Sequence, residues 1–124
     1  GIAMKDDNVT QVKSKAFAIR AVRLFQFLTD TKKEFVLSKQ ILRSGTSIGA
    51  NIAEAKYAIS KKEFALKLQI ALKECAETEY WLELLRETDY LTQREFADIH
   101  ADCEELLRLL TSSLRTIKRQ PETP

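Results

Sequence analysis

The sequence predicts an all-α protein, folded as an antiparallel up-down-up-down four-helix bundle, on three observations. The 124 residues contain only three glycines and two prolines, so turns are few and the elements must be long. Apolar residues recur at spacings of three and four in four separate segments, which is the pattern of amphipathic helices. Two Ser/Thr-x-x-Glu sequences, at Ser60 and Thr92, mark helix starts. Long helices joined by short connections pack as antiparallel neighbours.

The first two helices are predicted over residues 10–29 and 34–59, with the polar residues 30–33 as the turn between them. The core seam of the first helix is Phe17, Ala21, Leu24 and Leu28, widened by Val12, Ala16, Ile19 and Val22. The seam of the second helix is Ile41, Gly45, Ile48, Ile52, Ala55 and Ile59. Both seams alternate spacings of three and four, so each helix should bury one face.

The third and fourth helices are predicted over residues 61–87 and 93–118, each behind one of the two capping signals. The inward residues of the third helix are Phe64, Leu68, Ala71, Cys75, Leu82 and Leu85. Those of the fourth helix are Phe96, Ile99, Cys103, Leu106, Leu110, Leu114 and Ile117. We therefore expect one domain over residues 10–119, with residues 1–9 a disordered segment or expression remnant and 120–124 a disordered tail.

Composition narrows the classes of function. The 20 basic and 18 acidic residues nearly balance, unlike the strong positive charge of most nucleic-acid-binding domains. No apolar run is long enough to span a membrane, so no membrane association is expected. Cys75 and Cys103 both fall at apolar-periodic positions, which predicts buried free thiols and a cytoplasmic protein rather than a disulfide.

The second helix has two further faces beside its seam. Each helix-interior glycine costs about 1 kcal/mol relative to alanine, so Gly45 and Gly49 predict close helix packing. Gly49, Ala50 and Ala53 form a small-residue side, and a polar stripe runs along another. We expect that stripe to form a structural polar layer with one acid of the third helix, from these residues: Arg43, Ser47, Asn51, Glu54 and Glu77.

The third helix has apolar residues on the side away from its seam, which a solvent-facing surface does not normally carry. We expect this face to join subunits of a homo-oligomer. The predicted oligomer interface consists of Gly49, Ala53, Leu66, Ile70, Trp81 and Leu84. The alternative is a monomer with a wide core and a wet polar groove.

Signals for catalysis or for a metal are weak. His100 is the only histidine, so a triad has one candidate base, and its flank position beside Ile99 fits a boundary residue. His100 and Cys103 are spaced to touch one metal, but no second such pair exists. We expect no cofactor, no metal and no enzymatic activity. The remaining enzyme hypothesis uses the polar stripe.

Nucleic-acid contact is the weaker of the surface signals. Residues 1–43 hold nine Lys and Arg against four acids, although a solvated helix face gives the same pattern. A ring oligomer would repeat such a patch and multiply phosphate contacts. The candidate contacts are Lys13, Lys15, Arg20, Arg23, Lys32 and Lys33.

Three stretches of the second and third helices resemble a family of small bacterial four-helix-bundle proteins. The family includes proteins encoded in intervening sequences of large-subunit ribosomal RNA genes, and it is related to the accessory variability protein of diversity-generating retroelements. The resemblance covers about residues 10–118, with departures at Ala55 and at Lys73 and Glu74, where the family favours glycine and Gly-Ser. The stretches are Arg43-Ser-Gly-Thr-Ser-Ile-Gly-Ala-Asn-Ile-Ala-Glu-Ala55, Ser60-x-x-Glu-Phe64, and Leu68-x-Ile-Ala-Leu72 with Glu77.

The resemblance implies an antiparallel bundle that assembles as a homopentameric barrel and carries no catalytic residues. In the related branch, a strongly basic surface binds nucleic acid alongside a reverse transcriptase. We therefore predict a non-enzymatic homopentamer that binds RNA or a nucleoprotein partner. The alternative is a protein–protein scaffold or regulator with no nucleic-acid role.

Overall fold

The computed structural model describes residues 7–120 as four α-helices joined by short loops. The helices are α1 (Asp7–Asp30), α2 (Leu37–Ala55), α3 (Lys61–Glu87) and α4 (Gln93–Arg119). Each helix packs against the next along the chain, and α1 and α4 close the bundle with the sparsest contact of the four pairs. The predicted all-α four-helix class is confirmed, and neighbouring helices are antiparallel.

The helix boundaries agree with the sequence for α3 and differ at the ends of α1 and α2. α1 begins at Asp7 rather than at residue 10, so residues 7–9 of the predicted disordered segment are helical. Residues 1–6 and 121–124, which were predicted to be disordered, lie outside the described residues. α2 is shorter than predicted, because it ends at Ala55. Ile59 therefore leaves the predicted seam and is 90% exposed.

The start of α2 is set by a buried carboxylate that precedes the helix. Glu34 was predicted as the first helical residue. Its side-chain oxygens instead accept hydrogen bonds from the backbone N–H groups of Val36, Leu37 and Ser38, at 3.2, 3.0 and 2.7 Å. Burial acts to raise the pKa of Glu34, but the backbone hydrogen bonds outweigh it and hold the pKa below its usual value. Glu34 is thus an anionic cap at the positive end of the helix dipole.

The two predicted capping signals mark the starts of α3 and α4. The Ser60 hydroxyl accepts a hydrogen bond from the backbone N–H of Glu63 at 3.0 Å. At α4 the box is complete: Thr92 accepts from the Glu95 N–H at 3.1 Å, and the Glu95 carboxylate accepts from the Thr92 N–H at 2.8 Å. Both helices therefore begin where the sequence predicts.

The core contains the predicted seams of all four helices, apart from Ile59 and the half-buried Phe96. The predicted widening of the α1 face is wrong. Its four residues are exposed because α1 packs on α2 through its seam and meets α4 only sparsely, so no helix covers its outer side. These residues are Val12, Ala16, Ile19 and Val22.

The glycines of α2 allow α1 to approach closely, which confirms the predicted packing. A Cβ atom at Gly45 would lie 2.7 Å from the Cβ of Ala21, closer than two carbon atoms can approach. A Cβ at Gly49 would lie 3.2 Å from the backbone oxygen of Ser14. Both glycines therefore serve contact between α1 and α2 within one chain.

Two polar contacts fix the register of helices inside the bundle. The buried Thr78 hydroxyl of α3 donates to the Ser44 hydroxyl of α2 at 2.9 Å. The Sγ atoms of Cys75 on α3 and Cys103 on α4 lie 3.8 Å apart as free, buried thiols, as predicted. The contact with Cys75 and burial raise the pKa of Cys103 far above its usual value, so this thiol stays protonated.

Candidate functional site

The polar stripe of α2 meets α3 in an arginine cluster formed by Arg43, Glu74, Glu77 and Trp81. The Arg43 guanidinium pairs with Glu74 at 3.2 Å through Nη1 and with Glu77 through Nη2. The indole N–H of Trp81 donates to the same Glu77 oxygen at 2.8 Å. The predicted joining of Arg43 to Glu77 is therefore present, and it links α2 to α3.

The other members of the stripe make contacts of a structural kind. Ser47 donates its hydroxyl to the Arg43 carbonyl at 2.7 Å, and Asn51 donates its amide to the Ser47 carbonyl at 2.9 Å. Glu54 pairs with Lys67 of α3 at 2.8 Å. The stripe lies along the outer edge of the α2–α3 contact and is partly open to solvent in the single chain. Arg43 and Glu54 therefore link α2 to α3, whereas Ser47 and Asn51 hydrogen-bond to carbonyl groups of α2.

The predicted interface residues divide between two faces of the molecule. Leu66 is 56% exposed on α3, and Ile70, Trp81 and Leu84 are half-buried beside it along the same helix. Trp81 also packs against the core and meets Tyr80 edge-on at 5.1 Å between ring centroids. We call this surface the α3 face.

Gly49 and Ala53 lie away from the α3 face. They line a cleft of about 440 Å³ between α1 and α2, together with Gln11, Ser14 and Lys15. A side chain at Gly49 would crowd the backbone of Ser14, which explains why glycine occupies this position. The six residues predicted for the oligomer interface therefore lie on two different parts of the chain's surface.

A second exposed apolar surface lies on α1, and all of its residues except Val9 were predicted to widen the core face of this helix. Its residues follow one another at spacings of three and four, and Val12 is 63% exposed. Ile19 borders a cleft of about 370 Å³ between α1 and α4. The signal in the sequence was the unusual width of the apolar face of this helix. We call this surface the α1 face: Val9, Val12, Ala16, Ile19 and Val22.

Two of the six candidate nucleic-acid contacts pair with acids of α4. Lys13 lies 3.1 Å from Glu105, and Arg20 lies 2.7 Å from Asp98 and 2.6 Å from Asp102. Partial burial lowers the pKa of Arg20, but the hydrogen bonds to the two aspartates outweigh it and raise the pKa. These ion pairs fasten α1 to α4, and they place positive charge beside negative charge.

The remaining four candidate contacts are exposed and make no ion pair in the described part of the chain. Arg23 donates to Gln26 at 3.2 Å, and Lys32 lies over the Phe27 ring at 5.8 Å from its centroid. Lys15 and Lys33 complete the group. The structure thus separates the six residues into two engaged in α1–α4 pairing and four open to a ligand.

His100 stands between carboxylates that the sequence did not connect to it. Its Nε2 lies 3.0 Å from Glu79 of α3, and its Nδ1 lies 2.9 Å from Glu104 on its own helix. The ring stacks on Phe96 with centroids 4.6 Å apart. Cys103, which the spacing of three residues places on the same side of α4, faces Cys75 in the core instead.

Within residues 7–120, no helix is long and apolar enough to cross a membrane. The fold and the contacts above define a small helical-bundle protein with charged cross-links between helices and two exposed apolar faces.

The chain belongs to a family whose model, described as 23S rRNA-intervening sequence protein, matches residues 6–112. A solved structure from Bacteroides thetaiotaomicron, described as a protein of unknown function from the S23 ribosomal protein family, is similar to it. The two are 55% identical with a TM-score of 0.88, over 89% of this chain and 98% of the other. A search of curated proteins found no significant match.

Proposed function

We propose that this protein is a non-enzymatic subunit of a homo-oligomeric ring that binds RNA or a nucleoprotein. The proposal of a homo-oligomer rests on two exposed apolar surfaces, the α1 face and the α3 face. Contiguous apolar surface on a water-exposed chain is typical of protein interfaces. The contacts of the polar stripe support a non-enzymatic role, since Ser47 and Asn51 bind helix carbonyls.

The positions of the two faces favour a ring over a two-fold dimer. Among the described residues, α1 contacts α2 and α4 but not α3, so the two faces lie on opposite sides of the bundle. A two-fold dimer uses one self-complementary surface, whereas head-to-tail contact between two different surfaces generates a ring when the rotation closes. Five copies is the number implied by the family resemblance. The two free, buried thiols fit a cytoplasmic location.

The RNA part of the proposal rests on the four basic residues that remain open, Lys15, Arg23, Lys32 and Lys33. A ring repeats this group once per subunit, so a modest charge on each chain becomes a multivalent surface for phosphate. The family description, which refers to the 23S rRNA intervening sequence, supports the same direction.

A protein–protein scaffold is the second candidate, and the α1–α4 ion pairs favour it. Lys13 pairs with Glu105, and Arg20 pairs with Asp98 and Asp102, so both positive charges have partners within the chain. The whole chain has a formal net charge of only +2. A partner that contacts apolar and mixed-charge surface would suit such a molecule.

The assembly is tested by sedimentation velocity on the wild type, Ile19→Glu and Ile59→Glu. Ile19 lies on the α1 face, whereas Ile59 is an equally apolar, more exposed residue in the α2–α3 loop. We expect the wild type and Ile59→Glu to sediment as one oligomer and Ile19→Glu to dissociate, because a buried unpaired charge is costly. A monomeric wild type at micromolar concentration would reject the ring.

The RNA part is tested by titrating a labelled 23S rRNA fragment at about 50 and about 200 mM salt. Phosphate contacts from several subunits predict a fall in affinity of about a thousandfold or more between these conditions. A Lys32→Glu, Lys33→Glu double variant, in the exposed α1–α2 loop away from the α1 face, should lose binding while remaining oligomeric. Absence of binding at the lower salt, together with a protein partner that co-purifies after nuclease treatment, would establish the scaffold instead.

A further inference from the structure

The contact between α3 and α4 brings together four side chains of metal-ligand type. Glu79 and Glu83 stand one turn apart on α3, and His100 and Glu104 stand one turn apart on α4. Residues at this spacing share one face of a helix, and the contact between Glu79 of α3 and His100 of α4 at 3.0 Å brings the two faces together. Ligand atoms of Glu79, Glu83 and His100 all lie within 4.8 Å of one another.

The hydrogen bonds of His100 fit a metal-ligating imidazole. A neutral ring has one N–H donor and one acceptor nitrogen. Glu104 at 2.9 Å can take the Nδ1 proton, which leaves the lone pair of Nε2 facing a carboxylate oxygen of Glu79 at 3.0 Å. A nitrogen lone pair and a carboxylate oxygen at that distance are bridged either by a proton or by a metal ion. Histidines that bind metals usually donate the other ring N–H to a carboxylate, which is the position of Glu104.

The negative charge of the cluster also favours a bound metal ion. Three carboxylates surround one imidazole, and within residues 7–120 none of them pairs with a lysine or arginine. The His100 side chain is only 19% exposed, and that of Glu79 is less than one-third exposed. Because partial burial weakens solvent screening, the excess negative charge favours a bound cation.

We propose that His100 Nε2, Glu79 and Glu83 bind a divalent transition-metal ion, with Glu104 as the positioning residue for the imidazole. An imidazole with carboxylates suits zinc and its first-row neighbours. Atoms that share an ion at about 2.1 Å lie at most about 4.2 Å apart, so the cluster closes slightly on binding. The exposed Glu83 side chain can rotate to do so. The site lies between helices of one chain and is independent of the proposed RNA binding.

The test is calorimetric titration of tag-free, chelator-treated protein with Zn²⁺, supported by the visible spectrum of the Co²⁺ form. We expect one ion per chain. Glu104→Gln should weaken Zn²⁺ binding by about 10–100-fold, the usual loss for an outer-shell carboxylate. Glu83→Gln removes a ligand and should weaken it at least as much. Glu87→Gln, exposed one turn further along α3, is the matched control and should bind as the wild type does.

Glu83 has no hydrogen bond or ion pair in the described structure, so its replacement should leave the fold intact, which circular dichroism can verify. Saturable binding that responds to Glu83→Gln and to His100→Gln, but not to the control, supports the site. If Zn²⁺ does not bind stoichiometrically, or binds Glu83→Gln and wild type equally, the proposal is overturned. His100 then serves only to link α3 to α4 through its contacts with Glu79 and Glu104.

Discussion

At the scale of single residues, Glu34 has the clearest structural role in this chain. Its carboxylate caps three backbone N–H groups at the start of α2, although it lies outside the helix and is only 8% exposed. A buried carboxylate is tolerated because these hydrogen bonds replace its hydration. The orientation of α2 after the α1–α2 loop therefore depends on one ionised side chain.

Replacing Glu34 with Gln should lower the free energy of unfolding by about 1–2 kcal/mol at pH 7, the scale of a lost helix cap. The pKa of Glu34 is below its usual value of 4.5 in the folded protein. Its stabilisation is therefore fully present above about pH 4.5 and is lost as the pH falls through the lowered pKa. Urea unfolding of both proteins across this range measures the difference. Glu87→Gln should show neither effect, and a pH-independent gap would exclude the ionic cap.

At the scale of elements, the four helix contacts are unequal. α1 and α2 approach through glycines so closely that no Cβ fits at Gly45. α1 and α4 meet sparsely and are held by the ion pairs of Lys13 and Arg20. Partly exposed ion pairs contribute little stability, so α1 depends mainly on α2 for its place in the bundle.

Gly45→Ala should therefore destabilise the protein even though alanine is the better helix former. The gain in helix propensity is about 1 kcal/mol. The clash with the Ala21 Cβ adds a cost of about 1–3 kcal/mol, as overpacking does in cores. In an Ala21→Gly background the same substitution should cost less or become stabilising, which a double-mutant cycle by chemical unfolding measures. An equal cost in both backgrounds would refute the close contact.

At the scale of the whole molecule, one chain leaves apolar surface on two opposite sides. The α1 face and the α3 face each place apolar side chains on the outside of a helix. The half-exposed arginine cluster joins α2 to α3 and shares Trp81 with the α3 face. The chain has a core of its own, and its two exposed apolar faces are typical of surfaces that contact another protein.

Association of copies predicts that thermal stability depends on protein concentration. The midpoint should rise over a hundredfold range of wild-type concentration, because assembly stabilises the folded state by mass action. Val12→Glu, on the α1 face, should abolish this dependence, whereas Tyr57→Glu in the α2–α3 loop should retain it. Differential scanning calorimetry gives the midpoints. A wild-type midpoint that does not change with concentration would contradict the ring.

The sequence predicted the parts of the fold that depend on neighbours along the chain. The start of α4 follows from Thr92 and Glu95, whose side chains and backbones satisfy one another within one turn. The seams follow from periodicity, and the pairing of Arg43 with Glu77 follows from their positions on adjacent helices. The end of α2 was missed because its apolar spacing continues to Ile59 after the helix has stopped.

The candidate sites depended more heavily on the tertiary arrangement. Val12 and Ile19 carry the same period as a core residue, so only the sparse α1–α4 contact shows that they are exposed. Arg20 gained partners that lie 78 and 82 residues further along the chain, and Lys13 gained Glu105, which lies on the same helix as those partners. Glu79 and Glu83 approach His100 only because α3 and α4 are antiparallel at one register.

The sequence by itself determined four helices, the caps of α3 and α4, the core seams and the close approach at the α2 glycines. These features depend on local hydrogen bonding and on the side-chain period, which are set by residues a few positions apart. The tertiary structure alone decided which apolar residues remain exposed, which charges are paired and which carboxylates surround His100. Those outcomes depend on the spacing and register of whole helices, which arise from the sum of many packing contacts.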